Sequence, residues 1–97
     1  MILRRAEDET VEELFEKKSD EIHTFIANKV CDALDSGVNF LVLFTIMPDD
    51  LEMHCRKEDF LDTLITNLPY IEKLEDYELC TRVHEWISKL KIENYES

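Results

Sequence analysis

VNFLVLFTIM, residues 38–47, is the longest apolar run of this 97-residue chain, and its conformation decides the fold. Its length and its β-branched and aromatic content are typical of a buried strand. A lone strand needs a partner, however, and we find no second convincing one, because Ile2-Leu3 is too short and the other segments have helical spacing. We therefore predict that 38–47 forms a helix that is apolar on all sides and buried at the centre of a bundle. The competing interpretation is a single strand that pairs across a dimer axis.

Two helices are predicted before this run. The first covers about residues 8–18, with acidic residues at its start and lysines at its end, the order that the helix dipole favours. In the second, Ser19 or Asp20 forms the N-cap, and Gly37 ends the helix because glycine adopts the left-handed C-terminal conformation without penalty. The inner face of the second helix carries Ile22, Phe25, Ile26, Val30, Ala33 and Leu34.

Two further helices are predicted after the run. Pro48-Asp49-Asp50 is typical of a helix start, and Asn67-Leu68-Pro69 ends that helix and opens the last one. The apolar face of the third helix continues through Phe60, Leu61, Leu64, Ile65 and Leu68, and that of the last consists of Ile71, Leu74, Leu79, Val83, Trp86, Ile87 and Leu90.

The chain contains one glycine and two prolines, and this scarcity of breakers argues against a turn-rich β fold. We predict an all-α fold, a compact single domain over 1–97 with four to five helices around the central apolar segment. The predicted core consists of Phe25, Ile26, Phe40 to Phe44, Leu61, Leu64, Ile65, Val83, Trp86 and Ile87.

Acidic residues outnumber basic ones by 23 to 11, which gives a net charge of −12. A field of this sign repels nucleic acids and anionic membranes and favours a basic partner. The basic residues form no stripe, since Arg4-Arg5, Lys17-Lys18 and Arg56-Lys57 are each flanked by acids. We therefore predict a protein partner with a basic surface and no direct binding of nucleic acid or membrane.

The carboxylates at the start of the chain are the predicted partner-binding residues. Side chains spaced along a helix present negative charges at intervals comparable to those of a phosphate backbone. The alternative is an ordinary solvated acidic helix, because charged runs usually form solvated surface. The partner-binding residues are Glu7, Asp8, Glu9, Glu12, Glu13 and Glu16. Four i,i+4 ion pairs of favourable polarity are also expected, Glu13–Lys17, Glu52–Arg56, Glu78–Arg82 and Glu85–Lys89.

The cysteines and histidines could be arranged as a metal site or a reactive thiol. Cys80 and His84 are four residues apart, a spacing that chelates zinc on a helix, and His54 with Cys55 could supply the remaining ligands. The chain has no Cys-x-x-Cys and no His-x3-5-His pair, and cysteine often fills a core as a small apolar residue. We predict no metal, no cofactor and no catalytic residue.

The pattern favours a small acidic regulator or inhibitor that is not an enzyme and that occupies a basic surface of a partner, such as a nucleic-acid-binding groove. Size and charge are also compatible with a phage or viral product that disarms a host enzyme. An odd number of cysteines, a start without an apolar leader, and an apolar run shorter than the roughly 20 residues that cross a bilayer predict a cytoplasmic protein. One alternative is self-association through 38–47, as a homodimer or an assembly subunit. Another is a small metal-dependent enzyme.

Overall fold

The computed structural model describes the backbone of residues 1–96 and the side chains of residues 1–93. This part of the chain forms four α-helices and one three-stranded sheet, so the prediction of an all-α helical bundle is wrong. The strands are β1 (Ile2–Arg4), β2 (Phe40–Met47) and β3 (Leu51–Arg56). The helices are α1 (Val11–Lys17), α2 (Ser19–Ser36), α3 (Phe60–Lys73) and α4 (Tyr77–Glu96), and a 3-10 turn, Lys57–Asp59, precedes α3.

The apolar run is the central strand of the sheet. Strand β2 pairs in parallel with β1, where Ile2 lies opposite Thr45, and antiparallel with β3, where Leu41 lies opposite Cys55. The segment that we considered too short to be a strand is therefore one partner of β2, and no dimer axis is needed to pair it. A three-residue strand is sufficient here because β2 is already paired on its other side.

The residues after β2 form a hairpin turn instead of the predicted helix start. The chain reverses at Pro48-Asp49-Asp50 and returns as β3. Asp50 has φ 53°, in the left-handed region that aspartate tolerates better than most residues. The acids and proline that suit a first helical turn are also turn formers, and strand pairing decides between the two roles.

A bulge in β2 explains why the apolar run does not alternate. Val42 pairs with His54 and Phe44 pairs with Met53, so Leu43 is an extra residue on one strand only. The extra residue switches which side chains face inward. Leu41, Leu43, Phe44 and Ile46 face the helices, whereas Phe40, Val42, Thr45 and Met47 face away from them.

The helices cover one face of the sheet, and the core lies between the two layers. The centroid of the Phe44 ring lies 6.1 Å from that of the Phe15 ring on α1 and 5.5 Å from that of the Phe25 ring on α2. Strand β2 therefore packs against both helices. The predicted inner faces of the helices are largely correct, since Val30, Leu64 and Val83 are fully buried. The predicted core is wrong at Phe40, Val42 and Ile65, which are exposed.

The helix boundaries follow local capping in part. Thr10 is the N-cap of α1, and its Oγ1 accepts a hydrogen bond from the Glu13 N–H at 3.1 Å, so this helix begins later than predicted. Gly37 ends α2 with φ 73°, as predicted. Pro69, however, lies inside α3 and does not end it, because the helix continues through the fully buried Ile71. The break before α4 comes at Glu75, which has φ 58°.

Candidate functional site

The six carboxylates predicted to bind a partner form what we call the acidic surface: Glu7, Asp8, Glu9, Glu12, Glu13 and Glu16. The structure places the first three on the loop between β1 and α1 and the last three on α1. Two of them also stabilise this region. Glu9 Oε1 accepts a hydrogen bond from the Ala6 N–H at 3.1 Å, and Glu13 Oε1 accepts one from the Thr10 hydroxyl at 3.1 Å. The other four carboxylates are exposed to solvent.

A cleft of about 380 Å³ lies beside this loop, and Glu7, Asp8, Glu9 and Asp49 contribute to its walls. The one basic residue of the cleft is Arg5, whose Nη2 lies 2.8 Å from Asp49 Oδ2 and whose Nη1 donates to the Glu9 carbonyl at 2.7 Å. Because Arg5 already has these partners, it leaves Glu7 and Asp8 uncompensated. A cationic side chain of another protein would meet negative charge in this cleft.

The carboxylates are only sparsely paired with basic groups. Among the described side chains, Arg5 and Arg82 are the only arginines or lysines in ion pairs, and none of the acidic-surface carboxylates takes part in one. The four expected i,i+4 pairs are not formed in this part of the chain, so that prediction is wrong. Glu52 and Arg56 lie on a strand, and Arg82 turns toward α2, where its Nη2 lies 2.7 Å from Asp32 Oδ1 and 2.6 Å from Asp35 Oδ2.

Two acids of α2, Asp32 and Asp35, form ion pairs with Arg82 of α4. The hydrogen bond from Arg82 holds the pKa of Asp35 below its usual value, and a hydrogen bond of 2.9 Å from the Trp86 Nε1–H acts in the same direction. These acids are therefore part of the helix packing. Most other acids of the described chain, including the acidic surface, remain available to outside cations.

The sheet presents a second candidate surface on the side that the helices leave open. We call it the outer face, and its residues are Ile2 and Arg4 of β1, Phe40, Val42, Thr45 and Met47 of β2, and Glu52, His54 and Arg56 of β3. Three of its four apolar residues are exposed, with 67% of Ile2, 47% of Phe40 and 48% of Val42 accessible to solvent, and Met47 is half-buried. Part of the segment predicted for self-association is therefore accessible, whereas Leu43, Phe44 and Ile46 are core.

The outer face differs in charge from the rest of the molecule. Two arginines and one glutamate give the outer face a formal charge of +1. Since the whole chain has a net charge of −12, the other residues together carry −13. His54 Nε2 lies 3.0 Å from Glu52 Oε2, and the His54 and Phe40 rings form a T-shaped pair with 5.2 Å between their centroids. The fold thus separates an apolar, slightly basic face from a strongly acidic remainder.

The proposed zinc ligands do not converge. His54 and Cys55 are neighbours on β3, so their side chains point to opposite faces of the sheet, and only Cys55 is buried. His84 on α4 is exposed, and its Nε2 lies 3.8 Å from Glu72 Oε1. Within the described residues, no group of three or more histidine, cysteine, aspartate or glutamate side chains is arranged to hold a metal ion.

The cysteines are poorly suited to act as nucleophiles, because the thiolate is the reactive form. Burial raises the pKa of the Cys31 thiol to about 11. Burial also raises the pKa values of Cys55 and Cys80, and nearby carboxylates act in the same direction. The three thiols remain protonated at neutral pH.

A polar cluster between α2 and α3 escaped the sequence analysis, which assigned Asn67 to a helix break. The Asn67 side chain is buried, accepts a hydrogen bond from His23 Nδ1, and donates one to the Thr63 carbonyl at 2.7 Å. The His23 ring stacks on Tyr70 with 3.7 Å between the ring centroids. The cluster joins α2 to α3, and both the oxygen and the nitrogen of the buried Asn67 side chain have a hydrogen-bond partner.

No helix in the described part of the chain is both long and apolar enough to cross a membrane. No protein-family model, curated protein or solved structure matches this chain significantly, so its function must be argued from its own surfaces.

Proposed function

We propose that this protein is a small cytoplasmic regulator or inhibitor that binds a basic surface of another protein through the acidic surface. The observation that carries the proposal is the scarcity of internal compensation. The carboxylates of the acidic surface have no lysine or arginine partner among the described side chains, and Arg5 beside them is occupied by Asp49.

Uncompensated charge of one sign attracts an oppositely charged surface over a distance of about one Debye length, roughly 8–10 Å at physiological salt. It raises the association rate and favours basic partners over acidic ones. The negative charge of this protein also repels nucleic acids. A nucleic-acid-binding groove is itself basic, so it is the kind of surface that this protein would occupy in place of the nucleic acid.

The experiment compares two variants with the same net charge. The first changes four exposed residues of the acidic surface, as E7Q, D8N, E12Q and E16Q. The matched control changes four exposed acids on α3, α4 and the preceding turn, as E58Q, D62N, E78Q and E85Q. Each variant loses four negative charges, so a difference between them reports the location of the charge and not its amount.

The immobilised wild-type protein is exposed to cell lysate at about 50 mM NaCl, and bound proteins are eluted with salt up to about 500 mM, where screening is strong. We expect one basic protein to be retained by the wild type and by the control variant and to be lost from the acidic-surface variant. Its affinity for the purified wild type is then measured at both salt concentrations and should fall as salt rises. Equal retention by the two variants, or an affinity that does not depend on salt, would contradict the proposal.

A further inference from the structure

The outer face has the composition of a surface that is covered in the functional protein. A sheet with one solvated face normally alternates apolar residues inward with polar residues outward. On the central strand β2 the outward residues are Phe40, Val42, Thr45 and Met47, of which only Thr45 is polar. Contiguous exposed apolar side chains of this kind mark protein interfaces.

From the outer face we propose a homodimer in which two copies of the chain pack their sheets face to face. The first argument is electrostatic. Two chains of net charge −12 repel one another through most of their surfaces, whereas the outer face carries a formal charge of only +1. Contact through this face keeps the acids of the four helices of each copy on the far side of its own sheet.

The charged residues of the outer face also suit a second copy better than a basic partner. Arg4 and Arg56 would repel a basic protein, but they accompany Glu52 on the same face. In a two-fold interface the same patch meets itself, so both signs on one patch allow each glutamate to meet an arginine of the other copy. The apolar side chains of β2 then lie between these charges, and sheets packed in this way stand about 10 Å apart.

The molecule is more extended than a compact domain of its mass, with principal extents of 47 × 28 × 19 Å. The chain exposes 6609 Å² of surface, whereas a compact monomer of this mass exposes about 5,800 Å². Its radius of gyration is 14.3 Å, against about 12.5 Å for a compact domain of this length. An extended subunit has surface available for a partner, and an interface of standard size takes about 800 Å² from each subunit.

The test uses sedimentation of three proteins, namely wild type, Val42→Lys on the outer face, and Ile65→Lys as a matched control. Ile65 lies on α3 with 42% of its surface exposed, close to the 48% of Val42, and receives the same charge. We expect the wild type to sediment as a dimer, with twice the chain mass of 11.5 kDa. Val42→Lys should raise the dissociation constant by at least about 100-fold, because it buries an unpaired charge, and Ile65→Lys should leave it unchanged.

Circular dichroism establishes that each variant is folded, and Ile2→Lys on the same face replaces Val42→Lys if the latter is not. Salt separates this proposal from the basic-partner proposal, on which it does not depend. The dimer should persist or tighten between about 50 and 500 mM NaCl as repulsion is screened, whereas the partner complex should weaken. A wild type that is monomeric at about 100 µM, a dimer that dissociates in salt, or equal effects of the two lysines would overturn the proposal.

Discussion

Replacing Phe40 and Phe44 separately by alanine tests the bulged strand directly. In a helix, these residues would lie four apart on one face, and in a regular strand they would also share a face. The extra residue at Leu43 places them on opposite faces of the sheet. Phe44 is 2% exposed and packs against Phe15 and Phe25, whereas Phe40 is 47% exposed on the outer face.

The expected losses of stability differ by more than the measurement error. Removing a fully buried phenylalanine costs about 3–5 kcal/mol, because the transfer free energy and the cavity both contribute. Phe40 is half exposed and leaves no enclosed cavity, so its replacement loses about half of a typical burial free energy, about 1 kcal/mol. A chain of this size has a total stability of about 5–15 kcal/mol, so Phe44→Ala should remove between about a fifth and all of it.

Urea unfolding followed by circular dichroism measures both losses, with Phe44→Leu as a milder variant if Phe44→Ala does not fold. Each protein is measured at about 1 and about 20 µM, because a dimer would make the midpoint depend on concentration. The difference of about 2–4 kcal/mol should remain at the lower concentration. Equal losses at the two positions would refute the bulge and the assignment of faces that follows from it.

Three further outcomes follow from the described contacts. The folded-state pKa of Asp35 is lowered, so its bond to Arg82 stabilises the protein above about pH 4, and this stabilisation is lost as the pH falls through the lowered pKa. Arg82→Met should reduce this acid-induced loss, measured as the urea midpoint at each pH. A pH profile that Arg82→Met leaves unchanged would count against the contact. Asn67→Ala should cost about 1–3 kcal/mol in the same assay because it removes the buried acceptor of the half-buried His23 N–H, so a neutral effect would exclude that hydrogen bond. Cys31 should resist alkylation at about pH 8 in the folded protein and react after unfolding, as peptide mass spectrometry would report; rapid labelling of the folded state would contradict its burial.

The inner faces of the helices could be predicted well because their signals are local. The 3.6-residue periodicity identified buried residues such as Val30, Leu64 and Val83, and Gly37 marked the end of α2. The acidic surface was also accessible to sequence reasoning, since its six charged residues all lie within residues 7–16. Its local hydrogen bonds required the structure, because the Ala6–Glu9 and Thr10–Glu13 contacts depend on where α1 begins.

The sheet could not be predicted in the same way because strand pairing is a property of distant segments. Ile2 lies opposite Thr45, 43 positions further along the chain, and nothing near Ile2 announces that neighbour. The bulge at Leu43 added a second difficulty, since it placed apolar residues of both parities in one strand and removed the alternation by which half-buried strands are identified.

The sequence alone therefore determined the net charge of −12, the position of the central apolar segment and the inner faces of the helices, because each depends on composition or on neighbours within one or two turns. Only the tertiary structure decided that residues 38–47 form a strand and which of their side chains remain exposed. The physical reason is that a strand satisfies its backbone hydrogen bonds with other segments, so its faces are defined only when β1, β3 and the helices are in place.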